Sequence, residues 1–274
     1  MRFQSKSSFS YMFRNFGQLF FVTLPVSVLL AFFVVPTAEA QLFATLVRGQ
    51  LSAENYFNEF AKSLTLLRFA QNWWTALVVC VAGVLLAYTM CLMVVKIDRH
   101  MRIGEMQTLP LKRAFGLFPM MLLYIVGWFA VSEVAVLIIV GVVYMLSFLP
   151  SIEAIVGIGF GLTLVVRAFI SYIFCLLIIT FPLKYSENYR LNVAMSYSAR
   201  VMTTKRGKLI LFSIVYPLAR CLVMTVAYFA HPLEFVVYTV AIFFLLTFVP
   251  CFAFKQYYDD VGGERRDIAR IIFG

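Results

Sequence analysis

The chain has little that carries chemistry. Charged residues make up 13% of its 274 positions, and histidine occurs only at His100 and His231. A zinc site needs closely spaced His and Cys ligands, and spacing alone builds none here. The five cysteines are Cys80, Cys91, Cys175, Cys221 and Cys251, and no two form a CxxC. All lie inside apolar runs, which favours reduced, buried packing residues over disulfide or metal use. There is no nucleotide-binding glycine loop, no GxSxG elbow and no HExxH. The one acidic cluster, Asp259, Asp260, Glu264 and Asp267, is interleaved with Arg265, Arg266 and Arg270. That pattern suits a solvated tail helix better than a metal site. We therefore expect no catalytic residue, no metal and no cofactor.

What the chain does have is apolar surface. Hydrophobic residues make up 62% of it, and the mean hydropathy is +0.90. A soluble domain is about half apolar and about a quarter charged, so this is a membrane chain. Its length suffices for about six spans of about 20 residues. The 23 basic residues outnumber the 13 acidic ones, for a net charge of +10. In a soluble protein that excess would suggest nucleic acid. In a membrane chain, Lys and Arg mark cytoplasmic loops and favour anionic headgroups. The expected partners are the lipid bilayer, anionic lipid and other membrane proteins, not nucleic acid.

The expected fold is all-α: one polytopic membrane domain over 1–274, six transmembrane helices in three hairpins, with amphipathic surface helices. The spans fall at about 16–35, 73–95, 119–148, 154–181, 209–230 and 235–254. Before the first, Phe9, Met12, Phe13 and Phe16 recur at helical spacing, as in a helix lying on the inner membrane surface or a simple lead into the span. Pro25 is expected to kink that span. Ala38-Glu39-Ala40 imitates a signal-peptide cleavage site, but the apolar run before it is longer than a typical signal core. In the loop at 36–72, Phe57, Phe60, Ala61, Leu64 and Leu67 form an apolar stripe after a Ser52 cap. It reads as an interfacial helix, or alternatively as a lid. Trp73 and Trp74 suit a headgroup boundary, and KIDRHMR at 96–102 ends the second span.

Spans three and four are long. Thirty helical residues reach about 45 Å, against about 30 Å of hydrocarbon, so they must tilt, project or break. Gly127, Gly141, Gly157, Gly159 and Gly161 offer places to bend, and Gly157 with Gly161 has the GxxxG spacing of close helix packing. Farther on, Tyr189, Val193, Tyr197 and Val201 mark another amphipathic helix, over the basic connection 182–208. The inner segments of this arrangement hold eighteen of the 23 basic residues, and the outer ones only Arg48, Lys62 and Arg68. Both termini are thus expected to be cytoplasmic, in the plasma (inner) membrane.

Three charges fall inside spans. Glu133 and Arg167 lie near the middles of spans three and four, on either side of the break Leu149-Pro150-Ser151. In an antiparallel hairpin they share one depth and can form an intramembrane ion pair. A charge at a bilayer centre costs roughly 3 kcal/mol or more, so the pair needs a reason. Arg220, just after Pro217, is then left over, a candidate site for an anion or lipid because a guanidinium suits phosphate and carboxylate. It could equally share Glu133 or reach a backbone carbonyl.

The stretches SYSARVMTTKRGKL, KYSENYRLNVA and the YYDD ending resemble the YciC-like group of bacterial six-helix membrane proteins. That group is similar to the membrane domain of some glycerophosphodiester phosphodiesterases. The phosphodiesterase domain itself is absent here. The resemblance implies a cell-envelope membrane protein with inner-face amphipathic connectors, and it supplies no catalytic residues. Three classes of function are open: a non-enzymatic accessory or scaffold, which we favour; a carrier of a lipid or anionic amphiphile; and an enzyme, for which convergent nucleophile and base groups are wanting.

Overall fold

The computed structural model describes residues 8–34, 73–103, 111–146, 148, 152–229 and 233–260. The loop at 36–72 with the helix expected after Ser52, the signal-like Ala38-Glu39-Ala40, the break at 149–151 and the tail beyond 260 lie outside the described residues. Among those described there are nine helices and no strand. They are α1 (Ser8–Arg14), α2 (Phe16–Val34), α3 (Trp73–Ile103), α4 (Leu111–Leu146), α5 (Ile152–Leu176), α6 (Thr180–Glu187), α7 (Leu191–Thr203), α8 (Arg206–Phe229) and α9 (Glu234–Asp260). Four helical stretches are long and apolar enough to cross a membrane: Ala76–Met101, Ala114–Leu146, Gly157–Glu187 and Glu234–Asp259. The bent pair α1–α2 makes a fifth if it is one span.

The long helices form a closed cycle of neighbours. α2 packs on α3, α3 on α4, α4 on α5, α5 on α8, α8 on α9, and α9 returns to α2. α3 and α9 also touch across the cycle. The most extensive contacts are α3 with α4, α5 with α8 and α9 with α2. The main core gathers at one end, where Met93, Ile97, Ile179, Leu183, Phe254 and Tyr257 are fully enclosed. This end also carries Arg14, Lys96, Arg99, Lys205 and Lys208, so we call it the basic end. Toward the other end, among the described residues, small clusters form around Leu30, Ala82 and Leu246 and around Ala31, Ala227 and Tyr238, and Val143 and Ile155 are also enclosed.

Several local expectations change. α2, α4, α8 and α9 run unbroken through Pro25, Pro119, Pro217 and Pro250. α4 begins at Leu111, ahead of the expected start of span three at 119, so residues 111–118 belong to the same helix. Span three is continuous, whereas span four breaks at 177–179. The cause is Pro182, whose ring would meet the carbonyl of residue 178 if the helix continued. At the other terminus α1 meets α2 at 87°, and the Asn15 side chain donates to the Tyr11 carbonyl at the corner (2.9 Å). α1 therefore lies across the axis of α2, as a surface helix does. Its Tyr11 and Met12 face the protein, Phe13 faces outward, and Phe9 is half-exposed against Phe248. α7 divides the same way: Ala194, Ser198 and Met202 face inward and Val193 and Tyr197 face out, while Tyr189 lies exposed just before the helix. Cys91, Cys175 and Cys251 are buried as expected, but Cys80 is exposed on α3, and all are free thiols. Among the described residues the GxxxG pair makes no close approach, because a Cβ on Gly157 or Gly161 would meet nothing within 4 Å.

If stability resides at the basic end, Ile97→Ala (0% exposed) should cost about 3 kcal/mol. Leu123→Ala, on a side chain 64% exposed, should stay within about 0.5 kcal/mol. Reversible unfolding in mixed micelles measures both, and equal losses would contradict a one-ended core.

Candidate functional site

The basic end is where polar side chains are brought together. Asp98, near the end of α3, is 4% exposed. Its Oδ1 accepts from the Ser186 hydroxyl of α6 and from the Tyr258 hydroxyl of α9, both at 2.8 Å. One carboxyl oxygen thus joins three helices. Beside it the Tyr257 hydroxyl donates to Glu187 Oε1 at 2.5 Å, a second α9–α6 link. α6 is held in place for these contacts by its ends. Asn188 adopts the left-handed conformation (φ 55°), which Asn tolerates better than most residues, and turns the chain out of α6.

One hydroxyl repairs the break that Pro182 forces. Ser198 of α7, fully buried, donates to the Leu176 carbonyl at 2.8 Å and accepts from the Ile179 amide at 3.2 Å. Both backbone groups would otherwise be unsatisfied near the break. On the other flank Lys96, also buried, donates to the Gln18 carbonyl of α2 at 3.0 Å. The Tyr11 hydroxyl of α1 and His100 Nδ1 of α3 are hydrogen-bonded at 2.8 Å. Lys205 and Lys208 both donate to Gln256 Oε1 of α9, at 2.9 and 3.1 Å. α4 joins the assembly through rings, with Tyr124 edge-on to Phe181 and Trp128 edge-on to Phe174.

Chemically this is a clamp. Ser186 gives its proton to a carboxyl oxygen rather than to an imidazole, so no Ser–His–Asp order is assembled from these groups. Among the described residues no three His, Cys, Asp or Glu side chains form a group that could hold a metal ion.

The intramembrane charges lie elsewhere. Glu133 on α4 is 8% exposed, and Arg167 on α5 and Arg220 on α8 are half-buried. Trp128 stands opposite Phe174, so by count Glu133 comes level with residue 169, about 3 Å along the axis from Arg167. Arg167 and Arg220 are within electrostatic reach of each other, with Tyr216 and Cys221 beside them. Tyr238, buried on α9, has a hydroxyl with no hydrogen-bond partner among the described residues and is within electrostatic reach of Arg220. Both in-span arginines therefore lie in one neighbourhood.

The clamp itself was missed, although its parts stood in view. KIDRHMR was read as a stop for span two, yet it supplies Asp98 and His100. Ser186 and Glu187 belong to KYSENYRLNVA, Ser198 to SYSARVMTTKRGKL, and Tyr257 and Tyr258 to the YYDD ending. The stretches quoted for a resemblance thus meet in one network. Compared with known proteins, the chain matches no family model, no curated protein and no solved structure.

The clamp predicts coupling between Asp98 and Tyr258. Asp98→Ala should cost about 2 kcal/mol, because two buried hydroxyls lose their acceptor. In a double-mutant cycle with Tyr258→Phe the two losses should fall short of additivity by about 1 kcal/mol. Strict additivity would mean that the bond does not bear on stability.

Proposed function

We propose that the chain is a non-enzymatic accessory or scaffold protein of a bacterial cell envelope. It sits in the plasma (inner) membrane through six spans in three hairpins, with both termini cytoplasmic, as in the YciC-like group it resembles. The observation that carries this reading is the contrast between the clamped basic end and the open flanks of α4 and α5. Gly127 and Gly141, which share a face of α4, and Gly157 and Gly161 on α5 open onto empty space among the described residues. Bulky apolar neighbours such as Val126, Val142 and Ile158 are exposed beside them. Lipid alone is served by bulky side chains. A face notched by glycine lets another helix come close, and here that helix would belong to another membrane protein.

Within this reading Glu133 and Arg167 form an ion pair that holds α4 against α5. Their shared depth supports it. The alternative function is a carrier for a lipid or anionic amphiphile. Its support is the neighbourhood of Arg167, Arg220 and the Tyr238 hydroxyl, a setting suited to a phosphate or carboxylate.

Native mass spectrometry and native electrophoresis in a mild detergent separate the two. A scaffold should travel with a second polypeptide, and Gly157→Leu with Gly161→Leu should release it without lowering the unfolding midpoint. A carrier should instead hold a defined anionic molecule that Arg220→Ala loses. Wild type that is both monomeric and empty would sink both. For the ion pair, the charge-swapped double variant Glu133→Arg with Arg167→Glu should accumulate in the membrane better than either single reversal. Equal loss in all three would remove it.

A further inference from the structure

At the basic end a half-open groove of about 300 Å³ lies between α1, the start of α8 and the end of α9. Its floor is aromatic. Phe212 packs on Phe252 with ring centroids 4.7 Å apart, and Phe248 stacks over Phe212 at 5.9 Å. Phe9 of α1 closes one side against Phe248 at 4.6 Å. Its mouth is charged, with Lys208 on one wall and Lys255, Gln256 and Asp259 on the other.

Both walls change character in the same direction. α8 passes from Lys208 to Leu211 and Phe212 as it leaves the basic end, and α9 passes from Phe248 and Phe252 to Lys255 as it arrives there. Four helical residues span about 6 Å, so the groove goes from charged to apolar within the depth of a headgroup region. A phospholipid in the adjoining leaflet has the same gradient in the same sense.

The sign of the charge is also set. Lys205 and Lys208 donate to one oxygen of Gln256, so their ammonium groups stand at most about 6 Å apart, the two bond lengths laid end to end. A neutral amide oxygen offsets neither charge. Lys255 pairs with Asp259 at 2.6 Å, so among the described residues that line the groove the charge left over is that of Lys208. An ammonium has three donors, and Lys208 spends one on Gln256 and keeps the others for an anion.

We propose that this groove is a binding site for an anionic phospholipid of the leaflet at the basic end. The phosphate sits at Lys208 beside Gln256, and the first methylenes lie over Phe212 and Phe248. At about 300 Å³ the groove is at the small end of ligand sites, so the remaining acyl chain runs out along exposed Leu211 into the bilayer. This site is distinct from the Arg220 neighbourhood and does not depend on the scaffold reading. A partner protein can be lost with the lipid retained, and the reverse.

The test uses the full chain in nanodiscs of phosphatidylcholine with one-tenth phosphatidylglycerol, followed by native mass spectrometry of the retained lipid. Wild type should keep one phosphatidylglycerol in preference to phosphatidylcholine. Lys208→Gln should lower that preference about fivefold, the weight of one lysine near an anionic lipid. Lys208→Arg should retain it, as should Arg200→Gln, which removes an exposed charge from the same end outside the groove. Unfolding midpoints of all variants should coincide with that of wild type. Should Lys208→Gln fail to fold, the comparison of Lys208→Arg and Arg200→Gln with wild type still decides. Equal retention of the two lipids by wild type overturns the proposal. So does an Arg200→Gln loss as large as that of Lys208→Gln, which would mean diffuse attraction to a basic surface. Displacement of the lipid by inorganic phosphate at millimolar concentration would reassign the groove to a soluble anion.

Discussion

A carboxyl group enclosed among helices must find donors or destabilise everything around it. Asp98 is such a group, and its position dictates much of the rest. Its donors come from α6 and α9, elements that are far apart in the chain. α6 follows α5 through the irregular turn at 177–179 without a sharp bend, and Ser198 satisfies the backbone groups that this turn leaves open. The left-handed Asn188 then returns the chain to α7, which carries Ser198 back to the break. Proline, serine, asparagine and aspartate thus form one dependent series, in which each residue settles a backbone or charge problem that the previous one creates.

Concentrating satisfied polar groups at one end has an energetic logic. In the hydrocarbon region apolar side chains gain little by packing on each other rather than on lipid, and helix association there relies on close fit and a few polar contacts. Near the interface water competes for exposed groups, but enclosed hydrogen bonds hold elements in a single arrangement. The chain follows this division. Among the described residues most of its enclosed large side chains, and the hydrogen bonds of Asp98, Lys96 and Gln256 between helices, are at the basic end, and α4, α5 and α8 spread apolar faces elsewhere. The three in-span charges are the exceptions. They lie at related depths, which is how a bundle makes such groups tolerable.

Much of the helix content was legible because long apolar runs leave few alternatives, and α2, α3, α4 and α9 fall close to the expected spans. Tertiary conflicts were not legible. Pro182 looked like the end of a span, but the helix had already broken at 177–179, since a proline disturbs the turn before it. Pro119 looked like a beginning and lies within α4. The paired lysines and Asp98 read as loop charge because a sequence shows sign and spacing but not which helices converge. Tyr189 and Tyr197 were recognised as an apolar stripe, whereas the inward face of α7 is built from Ala194, Ser198 and Met202. Small residues carry a weak hydropathy signal even where they make the closest contacts. For Arg220 the sequence leaves an anion, Glu133 and a backbone carbonyl open, because only the packing of α5 on α8 shows that Arg167 is its neighbour.

The cycle of helices closes between its first and last members. α9 covers α2 along its length, and its Thr247 lies against Met12 of α1, 235 positions away in the chain. A ribosome delivers these partners in the opposite order to their need. α1 and α2 are made before α9 and must wait, with the face destined for α9 covered by lipid or by an insertion factor, until α9 has emerged. Completion of the bundle is therefore tied to the emergence of α9. A chain that stops before α9 leaves α1 without its seat and Asp98 without Tyr258, and so carries an open seam at the basic end.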